Sequence, residues 1–333
     1  VCLIVLLAMR LLEPLGPWVY LTPVILAAMV LVIATGPTLA FGVTTFLALL
    51  CGIATNGGLV VTLPLIAGGA VALLKLTHIR RQTDPLEAGA VAGVACAAAI
   101  WAIHLSRIPY MSANAPWPVL DAGIGLGGAV MSGILLSAGL PYIERFFHVA
   151  TEVRLLEWTD QNQPLLRKLA LEAPGTYHHS TVVSHMAAAA AKAIGVNAVL
   201  ARAGAYLHDV GKLNRPEYFI ENAVGRPSPH GHLSCMMSTL ILTAHPKDGV
   251  EIADQYGVPG PLQRIIAEHH GTTLAQYFYD KAKAEAEVSG RDVNMDNFRY
   301  RGPLPRTPES VIVMLADAAE SAARSLKGAS PGQ

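Results

Sequence analysis

Charge is scarce in this sequence. Only 14% of its 333 residues are charged, whereas an ordinary soluble domain carries about 25%. The 24 basic and 24 acidic side chains give a formal net charge of zero, which excludes a strongly basic protein that binds nucleic acid polymers. With 52% hydrophobic residues, the chain is also too apolar to be a disordered protein.

Cysteine is scarce as well, with four residues and no paired spacing. This excludes a disulfide-rich secreted scaffold. Cys2, Cys51 and Cys96 lie in apolar runs, where a cysteine normally behaves as a small buried hydrophobic residue. Because the chain begins at Val1 inside such a run, without an initiator methionine, we expect an N-terminal part to be missing.

The missing charge is concentrated in residues 1–141, which contain nine charged side chains, and residues 14–74 contain none. A transmembrane helix needs about 20 apolar residues, so this run is too long for one crossing and its glycine and proline clusters must divide it. The sequence therefore predicts a bundle of about six helices, of which residues 1–9 are the end of the first. The other five spans are 18–35, 37–53, 58–74, 88–106 and 119–141.

Basic residues in the short loops predict the orientation of this bundle. If the C-terminal half is cytoplasmic, four of them lie inside and two outside. The inner ones are Lys75, Arg80, Arg81 and Arg145, and the outer ones are Arg10 and Arg107.

A transporter would normally carry ionisable residues inside its spans. Only His104 and Asp121 qualify, and both lie near predicted span ends, which argues against a transporter.

The C-terminal half is predicted to be helical throughout, because apolar residues recur every three or four positions and no alternating run appears. The predicted helices are 179–195, 198–209, 234–245, 248–256, 260–270 and 308–327. The fold class is therefore all-α, with a polytopic transmembrane helix bundle followed by an all-helical domain. We place the bundle at 1–141, a juxtamembrane linker helix at 142–158 and the helical domain at 159–330.

Ten of the twelve histidines lie at or after His148, and several adjoin another histidine or an aspartate. A single buried histidine is normally a hydrogen-bonded core residue. This set, however, lies in apolar helical patterns, and burial of so many imidazoles and carboxylates costs free energy that another group must offset. Divalent ions would supply it, and imidazole with carboxylate suits Fe, Mn or Zn-like ions. The candidates are the His178–His179 pair, His208, Asp209, His245, His269, His270 and Asp317.

This number of ligands exceeds what one ion needs and predicts two ions that share Asp209, roughly 3.5–4 Å apart. Such a pair lowers the pKa of a bridging water and generates hydroxide at neutral pH, as phosphoester hydrolysis requires. Lys212 follows His208 by one helical turn and could neutralise phosphate charge.

These residues resemble the HD-domain metal phosphohydrolases, and most closely the seven-transmembrane HD-domain family, the PgpH-like group of bacterial cyclic-di-AMP phosphodiesterases. The resemblance covers residues 142–327, whereas the membrane half matches in architecture. It is carried by APGTYHHS (173–180), GAYLHDVGKLNRPEYFIEN (204–222), HPKDGVEIA (245–253), IAEHHGTT (266–273), FRYRGP (298–303) and VIVMLADAAESAARSL (311–326).

The resemblance implies second-messenger signalling: hydrolysis of cyclic di-AMP to linear pApA by two iron or manganese ions, on the cytoplasmic side of the bacterial inner membrane. It also implies an extracellular domain before the bundle. Carried onto this chain, the catalytic residues are Asp209, which bridges both ions, and Lys212. The implied metal ligands are His179, His208, Asp209, His245, His269, His270 and Asp317. His179 is chosen over His178 because the family's first ligand opens the helix that continues 180–182.

Residues 226–234 read RPSPHGHLS, where the family more often has an Asn-Pro-His-Asp-Lys run. Two alternatives stay open. One is an HD hydrolase of another nucleotide, such as cyclic di-GMP or a guanosine polyphosphate, since no residue here reads adenine directly. The other is a membrane receptor that binds nucleotide without catalysis. The expected partners are a cyclic dinucleotide and the lipid bilayer, with a homodimer as one candidate assembly.

Overall fold

The computed structural model describes residues 2–12, 17–77, 79–107, 118–223, 227–289 and 292–325. The chain divides into two compact units, Val1–Val153 and Arg154–Gln333. Within the described ranges there are helices and no strands, with a single isolated bridge between Leu274 and Arg299. The all-α prediction is confirmed.

The N-terminal unit is a bundle of six described α-helices. They are α1 (Cys2–Leu12), α2 (Leu21–Thr35), α3 (Pro37–Ala54), α4 (Leu59–Leu76), α5 (Asp84–Arg107) and α6 (Pro118–Phe147). By length and composition, α2 to α6 can each cross a membrane, and the predicted spans match them.

The turn between α2 and α3 consists of one residue. Gly36 has a φ of 86°, a left-handed conformation that glycine adopts without steric cost. Pro37 then occupies the first turn of α3, where its missing N–H would have no helical partner. The Gly-Pro pair is therefore sufficient to separate two spans with almost no loop.

Helices α5 and α6 approach each other through glycine. A Cβ atom on Gly89 would lie 2.6 Å from the Ala129 carbonyl oxygen, and one on Gly133 would lie 2.6 Å from the Pro85 carbonyl oxygen. Small residues at a helix crossing allow this close backbone contact, which is a main source of helix association in a bilayer.

The segment that was predicted to form one linker helix at 142–158 is divided in the structure. Pro141 lies inside α6, which continues to Phe147, and His148 then takes a positive φ of 53°. The Glu144 carboxylate accepts hydrogen bonds from the Thr151 amide and hydroxyl. A new helix, α7 (Glu152–Glu157), follows. The left-handed residue ends α6 because it breaks the helical backbone path.

The described residues of the C-terminal unit form seven further α-helices. They are α8 (Pro164–Glu172), α9 (Pro174–Ile194), α10 (Ala198–Leu207), α11 (Cys235–Gln255), α12 (Gly260–Glu268), α13 (Gln276–Ser289) and α14 (Pro308–Ser325). Small buried residues such as Ala187, Ala191 and Ala205 form much of the core between α9, α10, α12 and α14. Their size lets these helices pack closely, which brings the functional side chains within reach of one another.

The prediction of two helices at 234–245 and 248–256 was wrong, because α11 runs without a break through Pro246. Proline removes one backbone donor, the N–H that would bond to the carbonyl of Leu242. Here the His245 side chain supplies the missing donor, since its Nδ1 lies 2.7 Å from the Leu242 oxygen. The helix therefore keeps this carbonyl satisfied and continues.

Candidate metal centre

Three of the predicted ligands have their rings fixed by backbone carbonyls that helices leave unpaired. The Nδ1 atoms of His208, His245 and His269 each lie 2.7 Å from the carbonyl oxygen three residues earlier. His208 and His269 follow the last residues of α10 and α12, where the final carbonyls have no helical partner. A carbonyl only accepts, so each Nδ1 carries a proton and each Nε2 is left to face the site.

Helices α9 and α14 supply the opposite side of the site. His179 is buried on α9, whereas the neighbouring His178 is exposed. The Nε2 atom of His179 lies 3.1 Å from Asp317 Oδ1 on α14. On its other side, His179 Nδ1 donates to the carboxylate of Glu320, at 2.7 Å. The structure therefore directs His179, and not His178, to the other predicted ligands.

Asp209 lies at the centre of these residues and is buried. Its Oδ2 atom faces one pair of histidines, His208 Nε2 at 3.2 Å and His179 Nε2 at 3.5 Å. Its Oδ1 atom faces another pair, His245 Nε2 at 3.2 Å and His269 Nε2 at 3.8 Å. One carboxylate thus presents each oxygen to a different set of imidazoles.

His270 completes the set from the end of α12. Its Nδ1 atom lies 3.9 Å from Asp317 Oδ2, and its ring stacks on Tyr300 with centroids 4.1 Å apart. All seven predicted ligands therefore meet in one cluster. Ligand atoms come within metal-binding distance of one another in three groups, His179–His208–Asp317, His208–Asp209–His269 and His245–His269–His270.

The contact between His245 and His269 tests whether this cluster fits a cation. Their Nε2 atoms lie 3.1 Å apart, and both are lone-pair acceptors because both Nδ1 atoms donate to carbonyls. Two buried lone pairs at this distance repel unless a proton or a metal ion lies between them. Neither oxygen of buried Asp209 makes a well-directed hydrogen bond. The donor set fits divalent ions.

The pKa directions divide the histidines into two types. Burial lowers the pKa of His208, but the carboxylates of Asp209 and Asp317 outweigh it and raise that pKa to about 9. Burial and the charge of His245 lower the pKa of His270 to about 3. The pKa of Asp209 falls well below its ordinary value because His208 and Lys212 outweigh its burial. The carboxylates around His208 therefore attract a cation. His270 remains a neutral imidazole, which is the form that binds a metal ion.

Lys212 lies at the edge of the cluster on the 3₁₀ turn Val210–Asn214. Its Nζ atom is 2.7 Å from Asp209 Oδ2 and 2.7 Å from Glu221 Oε1. Glu221 also accepts a hydrogen bond from the Thr176 hydroxyl at 3.2 Å. The two carboxylates raise the pKa of Lys212 against the effect of burial, which keeps the ammonium charged.

Gly211 explains how this turn reaches the site. A Cβ atom on Gly211 would overlap the His245 carbonyl oxygen, so only glycine allows the turn to pack against α11 at this point. The glycine between Asp209 and Lys212 thereby holds the turn beside His245.

Sequence reasoning missed two residues that orient ligands, Glu320 and Tyr300. Glu320 follows Asp317 by three positions, so it lies on the same helical face, and this spacing could have identified it. Tyr300 has no such signal, because its partner His270 is 30 positions away and only the tertiary fold brings the rings together.

Each of the two units matches a known protein family. Residues 1–151 match the family described as a 7TM receptor with intracellular HD hydrolase, and residues 176–322 match the HD domain. The chain belongs to the seven-transmembrane HD-domain family. Together with the five apolar helices long enough to cross a bilayer, this membership makes it a membrane protein.

Two curated relatives are named cyclic-di-AMP phosphodiesterase PgpH. The one from Bacillus subtilis is 41% identical over 208 residues, which cover 62% of this chain and 29% of that protein. The one from Listeria monocytogenes is 35% identical over 315 residues, which cover 92% of this chain and 42% of that protein. The chain thus spans less than half the length of these relatives.

A solved structure is also similar. The HD domain of Listeria monocytogenes PgpH in complex with cyclic-di-AMP is 43% identical, with a TM-score of 0.49 over 51% of this chain and 78% of that chain.

Proposed function

We propose that this protein is a membrane-anchored phosphodiesterase that hydrolyses cyclic di-AMP to linear pApA with two divalent metal ions. The observation that carries the proposal is the position of Asp209, whose two oxygens face two different pairs of histidines. A carboxylate in this position is suited to bridge a pair of ions, and paired ions are typical of phosphoester hydrolysis.

The ligands separate into two proposed subsites. In subsite A, His179, His208 and Asp317 join Asp209 Oδ2. In subsite B, three imidazoles join Asp209 Oδ1; these are His245, His269 and His270. Imidazole and carboxylate donors without thiolate support Fe or Mn as the resident ions.

Divalent ions in these subsites would activate water and stabilise negative charge at phosphorus. Hydrolysis forms a bond between a water oxygen and one phosphorus and breaks the bond to the 3′-oxygen, which leaves with a proton. We assign to Lys212, at the edge of the site, the neutralisation of phosphate charge, because its ammonium can approach a phosphate oxygen. Asp209 and Glu221 hold this ammonium from two sides.

The choice of adenine rests on the relatives, two of which are named cyclic-di-AMP phosphodiesterases. The His-Asp cluster supports phosphoester chemistry and does not distinguish adenine from guanine. Comparison of cyclic di-AMP with cyclic di-GMP as substrates distinguishes the two bases.

The membrane bundle is proposed to occupy residues 1–141 and the phosphohydrolase domain residues 159–330, on the cytoplasmic side of a bacterial inner membrane. Large apolar side chains point outward from the spanning helices, as a lipid-facing surface requires. Examples are Leu39, Ile53, Leu74 and Val94. The loop excess of lysine and arginine supports the cytoplasmic orientation.

The test is a substrate panel with the purified full chain in lipid nanodiscs and added Mn²⁺. We expect hydrolysis of cyclic di-AMP to pApA, detected by chromatography. Asp209→Asn should reduce the rate by more than about 100-fold, because even changes behind metal ligands cost 10–100-fold. Asp254→Asn, at an exposed position of α11, is the matched control.

Three results would contradict this assignment. Preferred hydrolysis of cyclic di-GMP or a guanosine polyphosphate would change the substrate. Nucleotide binding without turnover, in a chain that elemental analysis shows to lack metal, would favour a receptor. Full activity in Asp209→Asn would remove Asp209 from the reaction.

A further inference from the structure

His179 differs from the other ligands in the group that holds its ring. The Nδ1 atoms of His208, His245 and His269 donate to neutral backbone carbonyls. The Nδ1 atom of His179 donates to the carboxylate of Glu320, at 2.7 Å. A charged acceptor makes this the stronger of the two kinds of hydrogen bond.

The reason lies in the position of His179 within its helix. His179 is the sixth residue of α9, a helix of 21 residues, so the carbonyls nearby are already bonded in the helix ladder. The carbonyls used by the other three histidines are free because their helices end there or contain Pro246. His179 therefore needs a side-chain acceptor from another helix, and α14 supplies it.

Glu320 is itself held in place. It lies three residues after Asp317 on α14, so the two acidic side chains reach the same face, and both contact His179. Its side chain is 12% exposed, and Arg324 lies 3.6 Å from the same carboxylate oxygen that His179 contacts. One helix thus provides both a proposed metal ligand and the group behind a second ligand.

The two subsites consequently differ in negative charge. Subsite A contains Asp209 and Asp317 and has Glu320 behind His179. Subsite B has three imidazoles, and its only carboxylate is that of the shared Asp209. A cation is bound more strongly where more carboxylate charge surrounds it.

We propose that Glu320 is a positioning residue that orients and strengthens His179 as a ligand, and that it makes subsite A the first of the two to fill. This inference rests on the proposed metal centre. Its consequence is stepwise loading, in which the protein holds one ion at low metal concentration and two at higher concentration.

The experiment titrates Mn²⁺ alone into the metal-free full chain, with free Mn²⁺ counted by electron paramagnetic resonance. Wild type should show a tight and a weaker step. Glu320→Ala should weaken the tight step by about 10–100-fold and leave the weaker step within about twofold. Glu320→Gln has nearly the same shape and can still accept the hydrogen bond, but it lacks the charge. Its loss of Mn²⁺ affinity in the tight step should therefore be intermediate. Glu172→Gln, at the exposed end of α8, should match wild type.

The outcomes separate the two proposals. If wild type binds no Mn²⁺, the proposed metal centre itself fails. If wild type binds two ions and Glu320→Gln leaves the tight step unchanged, the role of Glu320 is overturned. An equal loss in both steps would also overturn it, since a merely structural residue acts on the whole site. If circular dichroism shows that Glu320→Ala is unfolded, the near-isosteric glutamine variant decides the result.

Discussion

The two units of this chain bury different kinds of polar group. In the described part of the N-terminal unit, the buried polar side chains are hydroxyls, Thr44, Thr62, Ser132 and Thr151. Two of these bond to carbonyls of their own helix four residues back. The C-terminal unit also buries hydroxyls, but it adds seven histidine, aspartate and glutamate side chains, namely His179, His208, Asp209, His245, Glu268, His269 and Asp317.

The two kinds of polar side chain differ in the free-energy cost of their burial. Hydroxyls satisfied within their own helix can lie in an apolar bundle at little expense. A cluster of imidazoles and carboxylates is expensive to bury without compensation. The C-terminal unit therefore accepts a local instability that binding of cations would offset, whereas the bundle contains no comparable cluster among its described residues.

Both units use glycine for close contacts, but the contacts have different roles. In the bundle, Gly89 and Gly133 bring two helices together. In the C-terminal unit, Gly211 brings the turn after Asp209 against the carbonyl of His245. The first contact sets helix packing, and the second sets the geometry of the site.

The largest expected effect is that of Gly211→Ala. The added methyl group cannot fit against the His245 carbonyl, and overpacking of this kind costs about 3 kcal/mol. We expect a lower unfolding temperature of the C-terminal unit and a loss of Mn²⁺ binding. Gly231→Ala is the control, because nothing lies within 4 Å of its added carbon. Equal stability of the two variants would contradict the close contact.

The next effect is the pH dependence of the metal-free chain. The folded pKa of His208 is raised from 6.5 to about 9, so its contribution is complete below pH 6.5 and is lost as pH rises through 9, by about 3 kcal/mol. The folded pKa of His270 is lowered to about 3, so its contribution is present above pH 6.5 and is lost below it.

Metal-free stability of the C-terminal unit should therefore be highest near pH 6.5. Thermal unfolding in the presence of a chelator, measured from pH 5 to pH 9.5, tests this expectation. His208→Gln should remove the decline above pH 6.5. A stability that instead rises steadily to pH 9 would contradict the assigned environment of His208.

A smaller effect is expected in the bundle for Gly89→Ala. Its added carbon would lie 2.6 Å from the Ala129 carbonyl oxygen and 3.0 Å from Gly133 Cα, so α5 and α6 must separate, at about 2 kcal/mol. Titration of the purified chain with denaturing detergent should detect this loss. Gly127→Ala on α6 has open space around it and should unfold like wild type, with the Mn²⁺ affinity unchanged in both.

The smallest effect should come from Tyr300. Removing the ring that stacks on His270 in Tyr300→Ala should weaken the second Mn²⁺ step, since aromatic pairs contribute about 1 kcal/mol beyond their burial. Tyr300→Phe keeps the ring and should retain the affinity. If phenylalanine and alanine weaken binding equally, the hydroxyl and not the stack is the important group.

Much of this architecture could be predicted from local sequence. The spans follow from runs of apolar residues, and Gly36-Pro37 divides two of them by backbone stereochemistry alone. The continuity of α11 could not be predicted in this way. Pro246 favours a break, and only the three-dimensional contact of His245 with the Leu242 carbonyl shows how the helix continues.

The sequence by itself determined the residue types of the site, because several histidines and aspartates in apolar helical patterns are rare without a common purpose. It could not determine how their atoms face one another. Only the tertiary structure decided that the two oxygens of Asp209 face separate histidine pairs and that Glu320 stands behind His179. These contacts join residues up to 141 positions apart, and such distances in sequence are closed by helix packing, which no local pattern encodes.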